Sequence, residues 1–84
     1  MVRIDPLSHT VYLDDKPVPL SPAEYRLLAD LAPGKLVGYT YLSLDVLGLT
    51  TEAKQELEVL VRRLKRKLGV KIERVKGRGY VMRS

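Results

Sequence analysis

The chain contains no cysteine, which excludes a disulfide framework and any Cys-based metal site. His9 is its only histidine. Structural zinc takes four ligands and catalytic zinc usually three, so neither a metal nor another cofactor is expected. No apolar run approaches the roughly 20 residues that cross a bilayer, so no membrane partner is expected. The start, Met1-Val2-Arg3-Ile4-Asp5, lacks the pattern of a signal peptide, and a cytoplasmic location is the expectation. Internal repeats, low-complexity tracts and heptads are also missing. No nucleophile, base and orienting group form a set: His9 falls in an N-terminal strand or turn, and Asp14-Asp15 reads as a solvated turn. An enzyme is not expected.

What is present is charge, unevenly placed. The net charge of the 84 residues is +5. Residues 1–56 hold five Lys/Arg and eight Asp/Glu, a net of −3, and residues 57–84 hold ten and two, a net of +8. An acidic scaffold followed by a basic third points to a polyanion as partner.

The apolar pattern gives the layout. Residues 2–4, 10–13 and 17–20 read as short strands, with turns at Asp5-Pro6 and Asp14-Asp15-Lys16. Pro17 and Pro19 flank Val18 and mark an edge strand or an early end. Ser21 is placed to cap a first helix, Pro22 suits its first position, and Glu24 completes a capping box. Tyr25, Leu27, Leu28, Leu31 and Ala32 form its apolar face, and Pro33-Gly34 ends it. A second helix is expected from Tyr39 or Thr40 to Leu47, with Leu42, Val46 and Leu47 inward and Gly48 at its end. Thr50 or Thr51 is placed to cap a third helix, with Glu52 at its positive end, and Gly69 stops it after Leu68. The period then becomes two: Val70, Ile72 and Arg74 share one strand face, and Lys71 and Glu73 the other. Lys76-Gly77-Arg78-Gly79 turns the chain into a last strand, Tyr80-Val81-Met82. One α+β domain over 1–84 is expected: an N-terminal antiparallel sheet (1–20), three helices (21–69) and a C-terminal hairpin (70–84).

At 100° per residue, Ala53, Leu57, Leu60, Val61, Leu64 and Leu68 share one side of the third helix. The opposite side carries Gln55, Val59, Arg62, Arg63 and Arg66, flanked by Glu58 and Lys65, while Lys67 lies near the core boundary. A helix fits the major groove, where Arg reads guanine, a carboxylate accepts from cytosine, and an apolar side chain meets a thymine methyl. Lys76 and Arg78 sit at a hairpin tip that could enter the adjacent minor groove. Backbone amides at the start of the second helix, near Tyr39 and Thr40, are placed to hold a phosphate.

Three blocks carry a family resemblance. Leu20-Ser21-Pro22-Ala23-Glu24-Tyr25-Arg26-Leu27-Leu28 resembles the pattern L-T-x-x-E-[FY]-x-L-L. Arg63-Leu64-Lys65-Arg66-Lys67-Leu68 resembles R-L-R-x-K-L, and Val75-Lys76-Gly77-Arg78-Gly79-Tyr80 resembles V-R-G-x-G-Y. Together they resemble the effector domain of OmpR/PhoB-type response regulators. The resemblance implies a winged helix-turn-helix that binds double-stranded DNA in transcription regulation. It departs at Gln55, where the family commonly has Arg; at Leu60, in place of a polar residue; at Leu47, in place of Trp; and at Val81 after Tyr80. The operator therefore does not transfer from a relative.

A receiver domain needs about 100 or more residues of its own. The 84 residues hold none, so an excised effector domain or a stand-alone protein, monomeric without DNA, is expected. The competing class is a winged helix that docks on RNA polymerase or another DNA-bound regulator. The connection at 48–51 resembles the family's polymerase-contacting loop.

Overall fold

Asp14 and Asp15 both adopt positive φ, 50° and 68°. Such a backbone matches the twist of a two-residue hairpin, and Asp tolerates it better than most residues. The turn joins β2 (Thr10–Leu13) to β3 (Lys16–Val18), and β1 (Val2–Asp5) pairs antiparallel with the other side of β2. The third strand was expected over 17–20 but ends at Val18, because Pro19 has no N–H to donate to a ladder. The computed structural model describes residues 2–83; Met1 and Ser84, the outer limits of the expected domain, lie outside the described residues.

Helix α1 (Pro22–Leu31) begins with a complete capping box. The Glu24 N–H donates to Ser21 Oγ at 3.2 Å, and the Ser21 N–H donates to Glu24 Oε1 at 2.8 Å. Two of the amides that a helix start leaves unpaired are satisfied in this way. Leu27, Leu28 and Leu31 are buried. Ala32, expected on the apolar face, is exposed because the helix has already ended and it forms the C-cap.

A two-residue strand, β4 (Val37–Gly38), leads into α2 (Tyr39–Leu47). Leu42 and Ser43 are fully buried, and Val46 and Leu47 are half-buried. Gly48 then takes φ +70° and its N–H closes on the Leu44 carbonyl, the left-handed cap expected of a helix-ending glycine.

Helix α3 (Lys54–Leu68) starts later than expected. Neither Thr50 nor Thr51 caps it, and Glu52 lies before its first turn. Ala53 is the N-cap instead, and its N–H donates to the buried Ser43 Oγ at 2.9 Å. No side chain caps the first turn; a contact from α2, ten residues away, holds the residue where the helix starts.

The chain finishes with β5 (Lys71–Val75) and β6 (Gly79–Arg83). The turn is Lys76-Gly77-Arg78; Gly79 already belongs to β6. The hairpin is part of a three-stranded antiparallel sheet in the order β4-β6-β5, and β4 had not been expected. Gly79 faces Gly38, and a Cβ at Gly79 would collide with the Val37 backbone, so this close approach requires glycine. Leucines of α1, α2 and α3 join Val11, Ile72 and Tyr80 in one buried cluster. The architecture is α+β: a three-helix core with a small antiparallel sheet at each end of the chain.

Candidate nucleic-acid interface

The site is built on α3, and the rotation of α3 is fixed from inside. Leu57 and Leu64 are fully buried, and Leu60, Val61 and Leu68 nearly so. Fifteen residues with apolar side chains at helical spacing leave the opposite face to solvent. Both ends are also pinned. Ala53 is tied to Ser43 of α2. Lys67 Nζ donates to Glu24 Oε1 at 2.8 Å and to the Pro19 carbonyl at 3.2 Å.

Glu24 is 2% exposed, and its Oε2 has no hydrogen-bond partner among the described residues. Burial alone would raise its pKa; the hydrogen bonds from Lys67 and Ser21 outweigh burial and hold it below the usual carboxylate range. Lys67 is thus committed to the scaffold, consistent with its place near the core boundary.

Gln55, Glu58, Val59, Arg62, Arg63 and Arg66 are all exposed on the outer face. Val59 is 41% exposed among these charged side chains. Arg62 Nη2 meets Glu58 Oε1 at 2.9 Å, four residues earlier on the helix. Both are more than half in solvent, so the pair adds little stability but orders both side chains along one edge of the helix.

The wing turn closes through the Arg78 N–H, which donates to the Val75 carbonyl at 2.9 Å. Gly77 supplies the positive φ of +74°. Lys76 and Arg78 are exposed at this tip. The Arg78 carbonyl accepts from the Tyr39 N–H at 3.2 Å and joins the tip to the start of α2.

That bond corrects one expectation. The Tyr39 amide is engaged by the wing and is not left for a phosphate. The Tyr39 ring is buried edge-on against Tyr80, with centroids 5.7 Å apart. Thr40, at the second helical position, is exposed and remains at the helix start where first-turn amides lack intrahelical partners. Its hydroxyl donates to Glu52 Oε1 at 3.4 Å.

Three further cations border this surface. Lys54 lies 5.0 Å from the Tyr39 ring centroid and 3.6 Å from Glu52 Oε2. Lys65 and Arg74 line a cleft of about 350 Å³ between α3 and the wing, with Glu58 and Arg62 also on its wall. Val61, Ile72 and Tyr80 form its apolar floor. Burial, then Tyr39 and Glu58, raise the Tyr80 phenol above its ordinary pKa, against the pull of Arg74. Arg74 was traceable in the sequence, because it alternates with Ile72 on one strand face. Lys54 was missed because the start of α3 depends on a contact with α2.

His9 is exposed and stacks on Tyr25 at 4.7 Å. Among the described residues no group of three or more His, Asp or Glu is placed to hold a metal. No helix among them is long and apolar enough to cross a membrane.

Comparison with known proteins places this geometry. Residues 15–82 match the family "Transcriptional regulatory protein, C terminal". The response regulator protein PmrA of Pseudomonas aeruginosa is 37% identical over 83 residues, covering 94% of this chain and 38% of PmrA. The phosphate regulon transcriptional regulatory protein PhoB of the same organism is 36% identical over 84 residues, covering 92% of this chain and 37% of PhoB. The chain thus spans well under half the length of these relatives. Among solved structures, the DNA-binding domain of CpxR from E. coli superposes with a TM-score of 0.86 at 28% identity, over 96% of this chain and 88% of that one. The Klebsiella pneumoniae RstA DNA-binding domain, solved in complex with the RstA box, gives 0.83 at 28% identity, over 96% and 89%. The chain belongs to the transcriptional regulatory protein C-terminal family, the winged-helix effector domains of OmpR/PhoB-type response regulators, which are not enzymes.

Proposed function

We propose that this domain binds double-stranded DNA sequence-specifically in transcription regulation, in the cytoplasm, with α3 in the major groove and the wing at the adjacent minor groove. The observation that carries the reading is the division of α3: a buried apolar face and an exposed face of Val59, Arg62, Arg63 and Arg66. Arg63 and Arg66 reach guanine edges or neighbouring phosphates, and Val59 meets a thymine methyl. Glu58, held beside Arg62, accepts from a cytosine amine, and Gln55 contacts the strand near the start of the helix. Lys76 and Arg78 enter the minor groove. A phosphate sits at the start of α2 on the amide of Thr40, with Lys54 offsetting Glu52. Lys65 and Arg74 face the backbone that runs between the two grooves. The complex of RstA with its box supports this use of the shared fold.

Selection of bound sites from a random pool of duplexes tests the reading. Recovery of a defined motif is expected. Indifference to sequence at every position would overturn specific recognition.

A second reading is supported by a different surface. Tyr41 and Leu44 on α2 are 55% and 56% exposed, and Leu49 just beyond is 42% exposed. Exposed apolar groups of this size in proximity fit a protein partner, RNA polymerase or another DNA-bound regulator. A Leu44→Asp variant that keeps DNA affinity but loses activation of transcription in a purified system would favour it. Without DNA the chain is monomeric, since its apolar helix faces are spent on the core and the outer face of α3 repels its copy. Sedimentation at tens of micromolar, showing a dominant dimer, would contradict this.

A further inference from the structure

Helices α1 and α2 pack together, and each brings a carboxyl group in its last turn, Asp30 and Asp45. A helix C-terminus is the negative end of its dipole, and neither last turn contains a basic residue. The two carboxyls lie against each other across the joint. The cation that faces them is Arg26, one turn before Asp30, with Nε 3.5 Å from Asp45 Oδ2. One guanidinium, largely in solvent, pairs with Asp45 and acts on Asp30 only through its charge. Asp30 Oδ2 is buried and accepts no hydrogen bond from any described residue. That position is costly for a carboxylate. It suits a carboxylic acid, whose own O–H donates to the facing carboxylate.

We propose that Asp30 and Asp45 share one proton across the α1–α2 joint, and that its loss loosens α2 and weakens the domain's grip on DNA. The second half rests on the DNA-binding reading above. Burial, then the hydrogen bond to Asp45 and its charge, push Asp30 up to about 7 against the opposing pull of Arg26. In the unfolded chain an Asp titrates near about 4. The stability held by the shared proton is therefore complete below that value and is lost as pH rises through about 7. A shift of α2 reaches the DNA surface in two places: Thr40 stands at its start, and the Tyr39 N–H holds the Arg78 carbonyl of the wing. His9, stacked on Tyr25 of α1, is the single histidine of the sequence, and it supplies the control.

The test is a pair of titrations from about pH 5.5 to about pH 8.5: thermal or denaturant unfolding, and affinity for a selected duplex. The wild-type folding constant is expected to fall with rising pH, approaching about tenfold per unit, the limit for one proton. Asp30→Asn, whose amide can donate to Asp45 at every pH, flattens both curves at their low-pH values. His9→Gln keeps the wild-type slope. Carbon NMR of the wild-type carboxyls, which needs no variant to fold, shows a step near neutrality on Asp30. The proposal fails if Asp30→Asn titrates like wild type, if His9→Gln removes the slope, or if the Asp30 carboxyl titrates in the ordinary acid range. Flat duplex affinity alongside the expected unfolding curves overturns the link to DNA but leaves the shared proton intact. Absence of duplex binding at any pH overturns the function proposed above, and the unfolding curves then still decide the proton.

Discussion

The two faces of α3 obey different rules although they alternate along the same fifteen residues. On the inner face every apolar side chain is enclosed, and the one cation near it, Lys67, is held by Glu24 and the Pro19 carbonyl. On the outer face the cations stand in solvent, and the partner they do find, Glu58 beside Arg62, is itself exposed. A lysine and an arginine one residue apart, Lys67 and Arg66, therefore have unlike roles. Position relative to the core, and not charge, separates a cation tied to the scaffold from one left in solvent.

The largest effect should come from the inner face. Leu64→Ala removes a fully buried side chain at the centre of the stripe. It is expected to cost about 2–5 kcal/mol, much of the stability of a small domain. An unchanged melting temperature would show that the helix is rotated from the orientation described.

Lys67→Ala sharpens the comparison. It leaves the buried Glu24 carboxylate without its cation, and a loss of about 1–3 kcal/mol is expected, the lower end if water reaches the half-open lysine site. The salt dependence of DNA binding should stay as in wild type. A reduced salt slope in a variant that remains folded would place Lys67 on the phosphates and erase the distinction. Acid should act on the same contact. Glu24 binds its proton less readily in the folded chain, so its contribution is present above about pH 4.3 and lost as pH falls through its lower folded value. Unfolding curves of wild type and Lys67→Ala below neutral pH check this: the acid-induced loss should be smaller in the variant.

On the outer face, Arg63→Ala should leave stability almost unchanged and cost about 1–3 kcal/mol of discrimination at one base position. Val59→Ala should relax preference for thymine by less. Lys71→Ala, on β5 beyond the helix, should barely alter base preference. Equal weakening of all sequences by Arg63→Ala and Val59→Ala would reduce both to nonspecific contacts.

The legible features were those with local causes. Ser21, Pro22 and Glu24 announce the start of α1 because the capping box closes within four residues. The inner stripe of α3 follows from helical spacing alone. What the sequence hid depends on partners distant in the chain. The start of α3 rests on Ser43, and Lys67 finds Glu24 across 43 residues. β4 is only two residues long and exists because β6 approaches it closely enough to demand glycine at Gly79. The Tyr39 amide looked available because its acceptor, the Arg78 carbonyl, belongs to the other end of the chain. Spacing cannot reveal that Asp30 and Asp45 meet, since only the packing of α1 on α2 brings them together.

The central claim, that the outer face of α3 and the wing together grip the phosphates of duplex DNA, is tested most directly by affinity for a selected duplex as a function of salt. Each neutralised phosphate should contribute about −0.9 to the slope of log K against log salt, so a total of several units is expected, and Arg66→Ala or Lys76→Ala should lower its magnitude by up to about one unit each. A slope near zero in the wild-type chain would contradict the account.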